Sequence, residues 1–229
     1  MKRFYWLLAV VLVGGVVWIW FGNKAGGQGV EWVAETEVPE TKADSEFTGY
    51  VMGSDSAPVE IVEYADFECP VCATFGAVQF PVIRQQLIAT GKARWRLRDF
   101  PLPPTTHMWS RLSAHAVACA SEQGKAWEMI DALFAHHRMW SQRADDPEKL
   151  FRGWAQDLVG LDMAKYDACM ASGRYRGRIQ HSRNEGAALG VRGTPTFFIN
   201  GREWQTRDIS SDAFQRAVDS VLAGRRRHS

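Results

Sequence analysis

Behind Lys2 and Arg3 the chain opens on an uncharged, predominantly apolar run from Phe4 to Phe21. At about 1.5 Å rise per residue, this 18-residue run makes a helix of roughly 27 Å, close to the hydrocarbon thickness of a bilayer. Phe4, Tyr5 and Trp6 crowd one end and Trp18, Trp20 and Phe21 the other, where rings favour headgroup depth. The pattern predicts a membrane anchor or signal segment over 1–21. An uncleaved transmembrane helix is preferred because the core exceeds that of a signal peptide and Asn23-Lys24-Ala25 makes a poor cleavage site. The positive flank places the remainder of the chain outside the cytoplasm, tethered to the cell membrane by a single pass. Residues 22–47 then run through glycines into Glu31, Glu35, Glu37, Glu40, Asp44 and Glu46, a composition with little to bury that predicts an acidic flexible spacer.

The folded part, 48–224, shows both secondary-structure periods. Val59 to Tyr64 is short, apolar and rich in β-branched residues, which suits a strand. A helical pattern follows from Pro70 to about Thr90, kinked or divided at Pro81, with Gly91 as its stop. Ala93 to Arg98 alternates Ala93, Trp95 and Leu97 with three arginines, predicting a strand with one covered face. Strand, helix, strand in this order predicts a βαβ unit with a parallel pair. After Pro101, Pro103 and Pro104, helical periodicity dominates about 105–189, a helical insertion. Thr196 to Ile199 resumes the sheet. Asn200-Gly201 turns it into a hairpin through Gln205, and a last amphipathic helix runs from Ser210 to Leu222, with a basic tail at 225–229.

The whole chain has 229 residues, 46% hydrophobic and 23% charged, with 27 Lys+Arg against 26 Asp+Glu. That balance excludes the basic footprint of a nucleic-acid binder, and the apolar fraction excludes a mainly disordered chain. Four cysteines are too few for a small disulfide scaffold, so their placement carries the information.

Cys69 and Cys72 form a C-x-x-C motif at the predicted strand-to-helix junction. Pro70 suits the first helical position, which puts Cys69 at the helix N-terminus, where unpaired amides and the macrodipole favour a thiolate. Cys69 is therefore the expected attacking sulfur, with Cys72 one turn deeper as its partner in a redox-active disulfide. A zinc site would need a second close ligand pair, which Cys119 and Cys169 do not supply, so neither metal nor organic cofactor is expected. A purely structural Cys69–Cys72 bond would close too small a loop to stabilise much.

The segment Asp66-Phe67-Glu68-Cys69-Pro70-Val71-Cys72, followed far downstream by Gly193-Thr194-Pro195-Thr196, resembles the DsbA-like branch of the thioredoxin superfamily over about Val51 to Leu222. The resemblance implies an α/β thioredoxin-like fold with an inserted helical domain, here preceded by the N-terminal transmembrane helix. It also implies a cis Thr194–Pro195 bond facing the disulfide, with the Thr194 backbone offered to an extended substrate segment. Glu63, six residues before Cys69, falls where thioredoxin-like proteins often carry a buried acid that could relay a proton to Cys72; an edge or surface glutamate is the alternative. Glu68 is expected to be exposed and to oppose thiolate formation. Val71 stands where the best-known DsbA pattern has histidine and offers the Cys69 thiolate neither charge nor hydrogen bond, which implies a weaker oxidant.

Cys119 and Cys169, in two predicted helices of the insertion, are expected to pair in an exported protein, with two separate buried thiols as the alternative. The histidines His107, His115, His136, His137 and His181 are expected on the surface or in packing, and Trp109, Trp127, Trp140 and Trp154 in the insertion core. The sequence therefore predicts a monomeric, membrane-tethered thiol–disulfide oxidoreductase on the periplasmic side that introduces disulfides into exported protein thiols. The resemblance suggests a membrane quinone-linked oxidase of the DsbB or VKOR type as its reoxidant. A reductase or isomerase, or a non-catalytic binding module, is the rival.

Overall fold

The computed structural model describes residues 41–226, all within one unit of the chain, Trp32–Ser229. The expected anchor at 1–21 and the spacer as far as residue 40 lie outside the described residues. Among the described residues, no helix is long and apolar enough to cross a membrane.

Five strands form one sheet in the order β1-β3-β2-β4-β5. The strands are β1 (Tyr50–Met52), β2 (Val59–Ala65), β3 (Ala93–Asp99), β4 (Thr196–Ile199) and β5 (Arg202–Glu203). β2 and β3 run parallel, Glu63 facing Leu97, as the βαβ order requires, while the other neighbours are antiparallel. At the hairpin, Asn200 and Gly201 have φ of 48° and 76°, the paired positive values of a type I′ turn, which glycine adopts without steric cost. The edge strand β1 has no counterpart in the sequence pattern, because three residues are too few for a period to show.

Between β2 and β3 the chain is helical from Pro70 to Ile88: α2 (Pro70–Thr74), a π-helical turn Phe75–Gln79, α3 (Phe80–Ile83) and a second π-helical turn Arg84–Ile88. Pro81 therefore does not break the helix. It sits in the first turn after the wider stretch, where the Phe80 N–H already reaches back five residues to the Phe75 carbonyl. Phe75, Phe80, Ile83 and Leu87 from this helix bury against Val59, Ile61, Trp95 and Phe197 of the sheet. Phe214 and Val218 of the last helix close that layer. This face is the principal core, and Glu63 shares it by strand alternation.

The insertion comprises six helices: α4 (Ser110–Ser121), α5 (Ala126–Ala135), α6 (His137–Trp140), α7 (Glu148–Asp157), α8 (Met163–Ser172) and α9 (Arg176–Ala188). It meets the active-site helix where Gly76 lies under Phe134; a Cβ at Gly76 would come within 2.4 Å of that ring. Trp140 and Trp109 belong to its buried residues, whereas Trp127 packs against the sheet core.

Two boundaries differ from the sequence expectation. The acidic segment assigned to a flexible spacer ends in a helix, α1 (Lys42–Glu46), whose capping box between Thr41 and Asp44 satisfies its first amides. The last helix, α10 (Ser211–Arg226), passes through Gly224 into the expected basic tail, since glycine weakens a helix without ending it.

Candidate active site

β2 delivers the chain into the loop Asp66–Phe67–Glu68, and Cys69 caps the following helix with an extended backbone (φ −71°, ψ 123°), Pro70 filling the first turn. Cys69 is 5% exposed and Cys72 fully buried. Both are free thiols, so the pair is in its reduced form.

The two sulfurs are electrostatically unlike. The Cys69 thiol is lowered to about 5. Its largest cause is the hydrogen bond from the Cys72 thiol; burial opposes this, and Thr194 and the amides of Cys72 and Val71 lower it further. Cys72 is pushed well above the usual thiol range, first by burial and then by Cys69 and Glu63. As a thiol, Cys69 Sγ donates to the Thr194 carbonyl at 3.4 Å. The Thr194 hydroxyl is buried with no other hydrogen-bond partner among the described residues, which leaves it as a donor for the thiolate. The Thr194–Pro195 peptide is cis, and its contact with Cys69 brings the two motifs together across 125 residues.

Glu63 occupies the buried position of its two expected ones. It is 3% exposed, and its Oε2 accepts a hydrogen bond from the Trp95 indole at 3.1 Å. Burial is the main cause that raises its carboxyl to about 8; the Trp95 bond opposes this and the Cys69 charge adds to it. Glu63 is therefore protonated at neutral pH and close enough in charge terms to perturb Cys72.

Glu68 contradicts the expectation of an exposed charge. It is 1% exposed, with Oε2 accepting from the Trp109 amide at 2.7 Å and Oε1 from the Gln142 amide at 3.0 Å. Burial raises its carboxyl above the ordinary range, with the Gln142 and Trp109 amides opposing. Asp66 is as deeply buried, accepting from Glu68 N–H in an Asx-type turn and from Ser110, with His107 Nδ1 at 2.8 Å. Beyond that local turn, the partners of Asp66 and Glu68 come from 36 to 74 residues downstream. The histidines also exceed their expected packing roles. His107 faces Asp66, His137 Nε2 lies 2.7 Å from the Glu68 carbonyl, and His115 lies beside the second cysteine pair. Val71 is half exposed and lends Cys69 its amide but nothing from its side chain.

Cys119 and Cys169 are joined as a disulfide between α4 and α8, Cα atoms 5.6 Å apart. With His115 they form a buried Cys/His cluster among the described residues. Their sulfurs are engaged with each other.

A C-x-x-C at a helix N-terminus, a thiol of lowered pKa, a buried partner and a cis-proline loop against the sulfur make a site suited to thiol–disulfide exchange. Comparisons with known proteins support the fold. Residues 45–220 match the family described as Thioredoxin. The sodium/proton antiporter NhaA 3 of Salinispora tropica is 37% identical over 177 residues, 77% of this chain and 25% of that protein. The chain thus spans about a quarter of the length of that relative. The probable disulfide bond formation protein D of Bacillus anthracis is 22% identical, covering 75% of this chain and 77% of its own. Among solved structures, alpha-DsbA1 of Wolbachia pipientis superposes with a TM-score of 0.65 at 23% identity, over 76% of this chain and 90% of that one. The chain belongs to the thioredoxin family.

Proposed function

We propose that this protein is a membrane-tethered extracytoplasmic oxidase that introduces disulfides into exported proteins through Cys69 and Cys72. The observation that carries the reading is the contrast between the two sulfurs: Cys69 lowered to about 5, Cys72 raised far above it. A thiolate stabilised in the reduced enzyme is a good leaving group and makes the oxidised pair a stronger electron acceptor. In the exchange, a substrate thiolate attacks Cys69 Sγ of the oxidised pair. The Cys69–Cys72 bond breaks, and Cys72 leaves with both electrons of that bond. Glu63, protonated at neutral pH, is the group that would return a proton to Cys72. A second substrate thiolate then attacks the substrate sulfur of the mixed disulfide and expels Cys69 as thiolate. Two electrons have passed to the enzyme, and the substrate carries a new disulfide.

The cis Thr194–Pro195 loop, beside Cys69, would receive the substrate backbone in extended form. The apolar run at 4–21 behind two cationic residues supports the membrane tether. An antiporter works across a membrane, so kinship to part of one fits that setting. Reoxidation would fall to a membrane quinone-linked oxidase of the DsbB or VKOR type. A Cys72→Ala variant expressed in cells should accumulate mixed disulfides through Cys69 with exported proteins, and the wild type should oxidise a reduced dithiol peptide. A reduction potential near about −270 mV with no peptide oxidation would make the protein a reductase instead.

A further inference from the structure

Beside the nucleophile a groove of about 560 Å³ lies open between the active-site helix and the insertion. Pro70, next in sequence to Cys69, lines it together with Val78 of the following turn; Phe134, packed over Gly76, and Met139 of α6 line it from the insertion. Its apolar side chains are uncovered, Val78 being 57% and Met139 53% exposed. Large apolar side chains gathered at one place on a surface mark a contact site. The insertion side is fixed to the catalytic loop, since the His137 ring lies 2.7 Å from the Glu68 carbonyl, while the His136 ring stacks on Trp154 at 4.9 Å. Among the described residues no aspartate or glutamate lines the groove, and the guanidinium of Arg138 gives it a positive charge. Other arginines of the insertion are neutralised within it: Arg143 by Asp145, Arg152 by Asp167 and Arg174 by Glu122. Arg138 is exposed and has no carboxylate partner among the described residues. The pocket that Pro195 lines differs, because Glu203 and Arg207 both line it.

We propose that this groove is a second recognition site for the client polypeptide, taking an apolar side chain against Val78 and Met139 and a carboxylate against Arg138. From Pro70 to Val78 the helix advances roughly 12 Å at about 1.5 Å per residue, a length that about four extended residues cover. The site therefore reads about the first four positions beside the reacting cysteine and favours clients with acidic and apolar residues there. It deepens the proposed oxidation of protein thiols, and rests on that reading in that Cys69 meets a cysteine-bearing chain. The direction of electron flow does not enter it.

In the full chain, oxidised protein is mixed with a reduced dithiol peptide that carries Leu and Glu within about four residues of a cysteine, and with the same peptide bearing Gln for Glu. The ratio of kcat/KM for the two peptides is taken for each protein. Comparing ratios between proteins cancels the intrinsic reactivity of each peptide thiol and any uniform change in the enzyme. Relative to Arg138→Gln, wild type should prefer the Glu peptide roughly two- to fivefold, and the preference should shrink as salt rises. Arg138→Glu should reverse it, and Met139→Ser should weaken the preference for Leu over Ser in the peptide. Equal ratios in wild type and Arg138→Gln refute the proposal. So does a preference that emerges only when Glu35, Glu37 and Glu40 are replaced by Gln, which would give the groove to the chain's own acidic segment. If wild type oxidises no peptide at all, the oxidase reading falls. The same ratios are then taken for reduction of the peptide disulfides by the reduced protein, where equal values again refute the groove.

Discussion

Replacing Glu63 by Gln tests how the fold holds an acid under its reactive sulfurs. The substitution keeps the shape of the side chain and an oxygen for the Trp95 indole, and removes the ability to ionise. In the native protein burial raises the Glu63 carboxyl from 4.5 to about 8. At ~1.36 kcal/mol per pKa unit, keeping this buried group from ionising costs the fold about 5 kcal/mol above pH 8 and about 3 kcal/mol at pH 7. The sign follows from proton uptake. Between pH 4.5 and about 8 the unfolded chain has lost the Glu63 proton and the folded chain keeps it, so stability is full below 4.5 and falls as pH rises to 8. Cys69, lowered from 9.0 to about 5, contributes in the opposite sense: its stabilisation is complete above pH 9 and is lost as pH falls through 5. Both proteins share that contribution, so it cancels in their difference. Denaturant unfolding of the reduced wild type and variant at pH 4.5 and pH 8 should therefore show the variant gaining about 3–5 kcal/mol relative to wild type over that range, whatever constant offset the new amide introduces. The same variant should oxidise a dithiol peptide at least about tenfold more slowly at pH 7, having lost its proton donor. Parallel stability curves would refute the buried-acid argument, and a normal rate would remove Glu63 from the exchange.

Two further outcomes are expected. Rapid alkylation of the reduced protein should report a single thiolate with a midpoint near pH 5, assigned to Cys69 by mass spectrometry, with Cys72 silent at neutral pH; a Cys69 midpoint near 9 would contradict the site described. The paired substitution Cys119→Ala and Cys169→Ala opens a bridge of sequence separation 50 and should cost about 4 kcal/mol in the chain-entropy account. A loss under about 1 kcal/mol by urea unfolding would show that the insertion does not depend on that bridge.

The sites that local chemistry specifies were legible along the chain. Pro70 behind Cys69 marks a helix start with a sulfur at its positive end, because a proline at the first helical position needs no N–H partner. Val59 to Tyr64 and Ala93 to Arg98 announce strands by period, and their order makes the pair parallel. Asn200-Gly201 announces a hairpin because both residues accept positive φ. Glu68 shows where such inference ends. A carboxylate beside a cysteine looks exposed when only its neighbours in sequence are weighed, since burial without donors is costly. Its donors are the amides of Trp109 and Gln142, 41 and 74 residues away, and only the folded insertion brings them to it. His107 was unremarkable for the same reason until Asp66 was found against it. The sequence alone determined which sulfur sits at the helix N-terminus, because a proline at the first helical position acts within a few residues. The tertiary structure decided how that sulfur is tuned, because charge, burial and hydrogen-bond satisfaction are set by groups that become neighbours only when distant segments pack together.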